Sequence, residues 1–461
     1  YTTHPRQPGP HVTKVEPRPA PGSLEFELPI VPGPQSRYKK VVSLFALVLK
    51  GPAGYDRVAV HADRDAQPLL VARLNEWTGW AEHTFMADGA PVRAAVRAKL
   101  LKLKPDASEV HLYLSEIYPL DDFVHPTSLA PALAKRCGPF IIQCSRQQVV
   151  QGGASDIATY MDEQEYLARW WRNAAACLLA EQAWDLFMLK WHGPDWTNHL
   201  TMYMIDPRHP MHEPARAEEG WALWDRLMGW GDEIVRAAAL AAGPDALIAL
   251  VSDHGGDTML PGLDTGHPDP NEALRQHGWL VQAPGAGIDW SRTRAFGIQH
   301  YVYLNVKGRD PQGLVEPGDE CLRLREEIIE ALLAAKDASG RHRYRVVLPM
   351  EDAGRLAVGG DRVGDIFLVP AKRHPLATVS REEFWKTHTV EQTGTWDWPR
   401  LNAGSHSDDS YFVLAGPGVK QGFRRPRPTL ITSVAPTLAA AWGIPVPADA
   451  DGSVLNDFLT E

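Results

Sequence analysis

The hydrophobic pattern of the chain changes near residue 160, and the two patterns predict two kinds of structure. Up to about residue 118, apolar and polar residues alternate in short runs such as SLEFELPI and YDRVAVHAD. Alternation with a period of two is typical of strands that bury one face. Beyond residue 160, apolar residues recur at helical spacing in segments such as DEQEYLARWWRNAAACLLAEQ, and short apolar runs separate these segments. Helices that alternate with strands favour a parallel sheet with helices on both faces.

These patterns divide the chain into three predicted segments. Residues 1–23 are rich in Pro, Arg and His and predict an extended arm or linker. Residues 24–158 predict a β-rich subdomain, inserted or appended, and residues 159–461 predict an α/β domain whose doubly wound sheet is mostly parallel. The predicted strands of that sheet include WDLFMLKW, ALIALVSDHGG and TRAFGIQHYVYLNV.

Composition and charge argue against some classes of binding partner. The formal net charge of −10 at pH 7 argues against a general nucleic-acid or anionic-membrane binder. No apolar run approaches the roughly 20 residues that span a bilayer. The 4 cysteines have no CxxC spacing, so we expect free thiols, a reducing compartment and a cytoplasmic location.

Residue types that bind metals occur at three predicted strand ends. The segment HGPDWTNH follows the first strand, and one helical turn would place its Asp195 and His199 on the same face. Asp253 and His254 follow the apolar run ALIALV, and His406 precedes the run YFVLAG. In open α/β sheets, ligand groups gather beyond the carboxyl ends of strands, so we expect these five side chains to lie together.

Two carboxylates and three imidazoles suit two divalent ions a few ångströms apart. Imidazole nitrogens favour zinc or another first-row metal such as manganese or iron over magnesium. Each motif alone also has a structural explanation, since Asp195 can cap a helix and His199 or His406 can be an ordinary surface histidine. The order and placement of the motifs together favour the metal site.

The series DWTNH, VSDHGG, GSHSDDSYFVLAGPGV and TSVAPTLAAAWGIPVPADADG resembles the alkaline phosphatase superfamily, and within it the type I phosphodiesterase/nucleotide pyrophosphatase group. The resemblance covers roughly residues 160–460 and implies an alkaline-phosphatase-like fold. It implies that Asp195, His199 and His406 hold one ion and that Asp253 and His254 hold the second. It also implies in-line displacement at phosphorus, in which a Thr or Ser oxygen attacks.

The chain departs from the family's pattern ahead of these motifs. The family places there an Asp that completes the second metal shell and, a few tens of residues later, the nucleophilic Thr or Ser. Asp63 and Asp65 lie in a predicted hairpin turn, and Thr2 and Thr3 follow no strand, so the catalytic nucleophile is unknown. The sequence therefore predicts the carboxyl-terminal portion of an enzyme, completed by a separate amino-terminal chain that also covers an open sheet edge.

Three further residues lie close to the ligand motifs in sequence. Lys190 can offer positive charge to a phosphoryl oxygen, or it can be an ordinary strand-end lysine in solvent. His192 can support a metal ligand from outside the coordination shell, and His267 can line the pocket.

The expected function is that of a metal-dependent hydrolase acting on phosphodiesters or monoesters of a small organic molecule. One alternative is a hydrolase or transferase that acts on a non-phosphorus substrate at the same bimetal site. The other is a metal-binding subunit without catalysis.

Overall fold

The computed structural model describes residues 1–3, 12–32, 36–141, 147–258, 269–283, 285, 287–337, 340–356, 358–371 and 403–460. The chain forms two compact units. The first comprises Tyr1–Met259, His388–Val446 and Val454–Glu461, and the second comprises Leu260–Thr387 and Pro447–Ser453.

The amino-terminal part of the first unit is built from antiparallel strands. Five of them pair in chain order: β1 (Arg18–Ala20), β2 (Ser23–Leu28), β3 (Leu44–Gly51), β4 (Gly54–His61) and β5 (Leu70–Arg73). The others are β6 (Ala81–Ala87), β7 (Ala90–Val96), β8 (Ala98–Leu103), β9 (Val110–Leu114) and β10 (Tyr118–Pro119). On β3, Leu44, Ala46 and Val48 are buried while the residues between them are partly exposed, which is the alternation that the sequence predicts.

Helices follow in the same unit. They are α1 (Ala130–Cys137), α2 (Gln147–Gln151), α3 (Ile157–Glu181), α4 (Gly193–Ile205) and α5 (Ala217–Ala242). The long helices α3 and α5 occur where the apolar spacing predicts them. The side chain of Asp156 accepts a hydrogen bond from the Thr159 amide at 2.7 Å, which caps the first turn of α3.

A buried ion pair joins the β-rich part to α3. Arg97, directly after β7, donates to the carboxylate of Glu163 on α3, and both side chains are buried. The guanidinium carbon lies 4.0 Å from the ring centre of Trp77, 4.7 Å from that of Trp80 and 4.6 Å from that of Tyr166. Burial raises the pKa of Glu163, although Arg97 opposes the shift. The aromatic rings and the carboxylate together replace the water that the guanidinium loses.

The remaining strands of the first unit form two short ribbons. The strands are β11 (Ile248–Val251), β12 (Gly255–Thr258), β17 (Gly404–Ser407) and β18 (Phe412–Ala415). Strands β13 to β16 belong to the second unit. Strand β11 pairs with β18, and β12 pairs with β17, each in the antiparallel sense. The last helix is α9 (Val434–Trp442), which ends at Gly443 in the left-handed conformation.

The second unit packs helices on an antiparallel sheet. Its strands are β13 (Ala295–Ile298), β14 (Tyr301–Leu304), β15 (Tyr344–Pro349) and β16 (Ile366–Pro370), ordered β13-β14-β16-β15. Its helices are α6 (Pro270–Gln276), α7 (Asp319–Ala334) and α8 (Met350–Ala353). Buried residues of α7, among them Leu324 and Ile328, form one core with Val302, Leu304 and Ile366 of the sheet. Short 3₁₀ turns in the chain span Thr127–Leu129, Pro214–Arg216, Gly354–Leu356, Ile431–Ser433 and Asn456–Phe458.

The structure is therefore mixed α/β, but its named strands differ from the prediction. Every pairing between them is antiparallel, so the doubly wound parallel sheet is not shown. The predicted strand WDLFMLKW lies outside the helices and strands. TRAFGIQHYVYLNV forms the hairpin β13–β14, because Gln299 turns the chain with a φ of 52°. The run ALIALV forms β11, yet Leu250 and Val251 are exposed where a buried strand was expected.

Among the described helices, none combines the length and the apolar character that a membrane span requires. Cys137, Cys177 and Cys321 are free thiols and half-buried.

The buried ion pair yields a stability prediction. We expect Arg97→Met to lower the free energy of unfolding by about 3 kcal/mol, because it leaves the Glu163 carboxylate buried without its partner. Arg93 on β7 is the matched control, since its ion pairs with Asp121 and Glu82 lie at the surface. Arg93→Met should cost less than about 1 kcal/mol. Urea unfolding followed by tryptophan fluorescence measures both, and equal losses would contradict the structure.

Candidate metal centre

Helix α4 carries two of the candidate ligands, Asp195 and His199. The helix begins at Gly193, and Pro194 lies in its first turn, where no intrahelical hydrogen bond is lost because those amides have no partner within the helix. Asp195 follows in the same turn. His199 follows one turn later. His192 occupies the N-cap position, and its ring stacks on that of Trp196 with centroids 4.9 Å apart and an interplanar angle of 8°. This stack fixes the first turn of the helix.

The ribbon of β12 and β17 carries the third candidate ligand, His406, which pairs with Gly256 across the ribbon. Asn198 of α4 is buried, and its Nδ2 donates to the Ser405 carbonyl oxygen at 2.8 Å. A Cβ at residue 404 would lie 2.4 Å from the Asn198 carbonyl oxygen, and one at residue 256 would lie 2.9 Å from Asn198 Oδ1. The glycines at these positions therefore let α4 approach the ribbon closely.

This approach brings three ligand atoms together. Asp195 Oδ1 lies 3.1 Å from His406 Nε2 and 3.4 Å from His199 Nε2, and the two imidazole nitrogens are 3.2 Å apart. Ligands about 2.0–2.1 Å from a tetrahedral zinc ion are separated by roughly 3.3 Å. His199 Nδ1 lies 2.9 Å from the Gly404 carbonyl oxygen. A carbonyl can only accept, so Nδ1 carries the proton and Nε2 presents its lone pair to an ion.

The protonation states of the cluster also suit a cation. Partial burial raises the pKa of Asp195, but the interactions with His199, His406 and His254 outweigh it, so this pKa lies below its ordinary value. Partial burial and the neighbouring His254 lower the pKa of His406. Both shifts favour the forms that bind metals, the ionised carboxyl of Asp195 and the neutral imidazole of His406.

Asp253 and His254 lie beside this cluster. The His254 ring stacks on that of His406 with centroids 3.9 Å apart and an interplanar angle of 29°. Asp253 Oδ1 lies 3.7 Å from His254 Nε2, and the Asp253 side chain is 64% exposed. Lys190 Nζ lies 3.9 Å from Asp253 Oδ2. The structure thus collects three of the five predicted ligands in one cluster and places the other two, with Lys190, at its rim.

The β-rich part contains the residues considered for the nucleophile, Thr2 and Thr3, and those considered for the missing aspartate, Asp63 and Asp65. The backbone of Thr2 forms bridges with His111 and Lys14, and Thr3 Oγ1 accepts a hydrogen bond from the Val110 amide at 2.8 Å. Asp63 and Asp65 are exposed in the turn after β4. These positions identify no nucleophile at the cluster, and His267 lies outside the described residues.

Arg208, which was not predicted from the sequence as a site residue, joins α4 to the ribbon of β12 and β17. Arg208 Nη2 lies 2.6 Å from Asp206 Oδ2, at the end of α4, and 2.5 Å from Asp257 Oδ1 on β12. Burial raises the pKa of Asp206, but hydrogen bonds from Arg208 outweigh it and the pKa lies below its ordinary value. The sequence Asp-Pro-Arg after α4 indicates a turn in which Arg208 can pair with Asp206. No pattern in the sequence indicates that Arg208 also pairs with the distant Asp257.

The chain matches no family model and no curated protein. A solved structure of a multiply substituted form of the alkaline phosphatase PafA is similar, with 16% sequence identity and a TM-score of 0.31. The match covers 53% of this chain and 43% of the PafA chain, so this chain spans less than half of that protein's length. At this TM-score and identity the likeness is distant.

The cluster predicts a zinc site on the isolated chain. Calorimetric titration of the metal-free protein should show tight binding, and His199→Ala should weaken the Kd by more than about 100-fold because it removes a ligand. His83→Ala is the control, since that imidazole contacts Phe85 in the β-rich part. Unchanged zinc affinity in His199→Ala would show that the cluster does not hold the ion.

The close approach of α4 yields a second prediction at the same site. Gly404→Ala places a methyl group against the Asn198 carbonyl, so α4 must move and the Kd for zinc should rise at least about tenfold. Gly79→Ala is the control, because a Cβ there meets nothing within 4 Å. Equal zinc affinity of the two variants, measured by the same titration, would contradict the described approach.

Proposed function

We propose that this chain is the metal-binding portion of a hydrolase that cleaves phosphate diesters or monoesters of a small organic molecule. The convergence of Asp195, His199 and His406 at spacings that suit tetrahedral zinc carries the proposal. Zinc is the ion that this donor set fits best, and manganese or iron is the alternative. The ion would supply stabilisation of negative charge at the reacting phosphoryl group.

The exposure of the cluster supports a catalytic role over a structural one. Structural zinc sites are closed by four protein ligands, whereas catalytic sites leave a position open to substrate. Here the His406 side chain is 49% exposed and that of His199 only 13%, so the cluster opens toward solvent on one side. Lys190 lies at this open side beside Asp253, and its ammonium group would attract an anionic substrate.

A second ion would be held by Asp253 and His254. Among the described residues these two side chains are the ligands at this position, whereas a catalytic zinc ordinarily has three, so the position calls for a further carboxylate. We infer that a separate polypeptide supplies that carboxylate together with the Thr or Ser nucleophile, in agreement with the family resemblance of the sequence. In the completed enzyme, Lys190 orients the substrate and the imidazole cluster holds the first ion.

The activity is tested on protein purified without denaturation, with any polypeptide that remains bound. We expect it to hydrolyse bis(p-nitrophenyl) phosphate or p-nitrophenyl phosphate. Asp253→Ala should lower kcat/KM by at least about 100-fold and reduce the bound metal measured by mass spectrometry. Asp63→Ala, an exposed aspartate in the turn after β4, is the control.

Three results would change this proposal. Unchanged activity and metal content in Asp253→Ala would show that Asp253 and His254 do not hold a second ion. Two bound ions without turnover of either ester would favour the metal-binding subunit. Full activity of the chain alone would show that no second polypeptide is needed.

A further inference from the structure

The side of α4 opposite Asp195 carries two buried hydroxyl groups. They belong to Thr197 and Thr201, which are one helical turn apart and completely shielded from solvent. At about 100° per residue, Thr197 lies about 200° around the helix from Asp195. These hydroxyls therefore cannot join the ligand atoms, and their contacts bear on how the helix itself is held.

Tyr160 of α3 reaches this side of the helix. Its hydroxyl oxygen lies 3.0 Å from Thr197 Oγ1, and its side chain is fully buried. Burial raises the pKa of Tyr160, the hydrogen bond with Thr197 lowers it, and the Asp195 carboxylate raises it. The net shift is upward, so the phenol is protonated and can donate to Thr197.

Helix α5 holds the same side of α4 one turn further along. The indole Nε1 of Trp224 donates to Thr201 Oγ1 at 3.1 Å, and Thr201 Oγ1 donates to the Thr197 carbonyl oxygen at 2.8 Å. A Cβ at Gly220 of α5 would lie 2.7 Å from Met204 Cβ, so this glycine lets α5 approach α4 closely. Thr197 thus forms hydrogen bonds through both its side chain and its main chain.

The hydrogen bonds at Thr197 constrain the rotation of α4 in a way that apolar packing does not. Apolar contact is not directional, whereas a hydrogen bond weakens steeply when its angle falls. A buried hydroxyl that loses its partner is costly, because no water replaces that partner. Rotation by about 10° would move an atom at the helix surface, roughly 5–6 Å from the axis, by about 1 Å. Metal–ligand distances tolerate only about 0.2 Å.

We propose that Tyr160 and Thr197 are positioning residues for the candidate metal centre. Their hydrogen bond fixes the rotation of α4 and thereby aims Asp195 and His199 at one ion. Both residues act through the helix and neither is a ligand. The inference rests on the metal cluster of the proposed function and adds the residues that set its geometry, but it requires no catalysis.

Variants that remove one hydroxyl at a time test this inference. Thr197→Val keeps the branched shape of the side chain and removes the hydroxyl, whereas Thr197→Ser keeps the hydroxyl. Tyr160→Phe removes the other member of the pair. Tyr166→Phe is the matched control, because Tyr166 is also a buried tyrosine of α3, and its hydroxyl donates instead to the Pro139 carbonyl oxygen at 2.9 Å.

Zinc affinity and the visible absorption of the cobalt(II)-loaded protein are the readouts. The absorption reports coordination geometry, which a loss of stability alone does not alter in a protein that is still folded. We expect Tyr160→Phe and Thr197→Val to raise the Kd for zinc about tenfold and to change the cobalt spectrum. Thr197→Ser and Tyr166→Phe should keep the Kd and the spectrum of the unaltered chain. Both Phe variants should lower the unfolding temperature of the metal-free protein, since each removes a buried hydrogen bond.

Three results would overturn the inference. The first is an unchanged Kd or cobalt spectrum in either Tyr160→Phe or Thr197→Val. The second is an equal loss of zinc affinity in Tyr166→Phe, which would trace the effect to general stability. The third is a Thr197→Ser variant that behaves like Thr197→Val, because the hydroxyl would then not be the group that matters.

The proposed function stands or fails separately. If the four variants behave as expected but no ester is hydrolysed with any bound polypeptide, the positioning role stands and the hydrolase is rejected. If the unaltered chain hydrolyses the esters and Tyr160→Phe binds zinc normally, the hydrolase stands and the positioning role is rejected.

Discussion

The candidate site depends on the close approach of α4 to the ribbon of β12 and β17. Asp195 and His199 come from a helix, and His406 comes from a strand more than 200 residues later in the chain. Their ligand atoms converge because Gly404 and Gly256 leave no side chain between Asn198 and the ribbon. Arg208 holds the same two elements together from the far end of the helix, through Asp206 and Asp257. Backbone packing and one ion-paired arginine thus position groups that could bind a cation.

The placement of Asp195 and His199 on one helix face was predictable because its signal is local. Pro194 and Asp195 mark the start of a helix, and a four-residue spacing then places His199 on the same face. The long helices α3 and α5 were predictable for a similar reason, since apolar spacing over more than twenty residues has few other interpretations. The resemblance of the motifs to a family adds the metal-binding roles expected of these residues, which local spacing does not contain.

Strand pairing was less predictable, because it depends on partners that are distant in sequence. WDLFMLKW is apolar enough for a strand, yet the described residues provide no neighbour for it. Gln299 interrupts TRAFGIQHYVYLNV without the glycine that ordinarily announces such a turn. The boundaries at residues 23 and 158 remain predictions, although β1 shows that part of the predicted arm joins the five-stranded sheet. Pairing of Arg208 with Asp257 is a long-range event that no local pattern encodes.

The stack of His254 on His406 has a consequence for how the site would fill. Rings with centroids 3.9 Å apart cannot rotate independently, because turning either one would drive its edge into the other. A cation that orients His406 would therefore also orient His254. The conformational entropy of the His254 ring would be lost in that first step, and not again when His254 binds. The van der Waals contact couples the orientations of the two rings, so an ion held by His406 would also restrict the ring of His254.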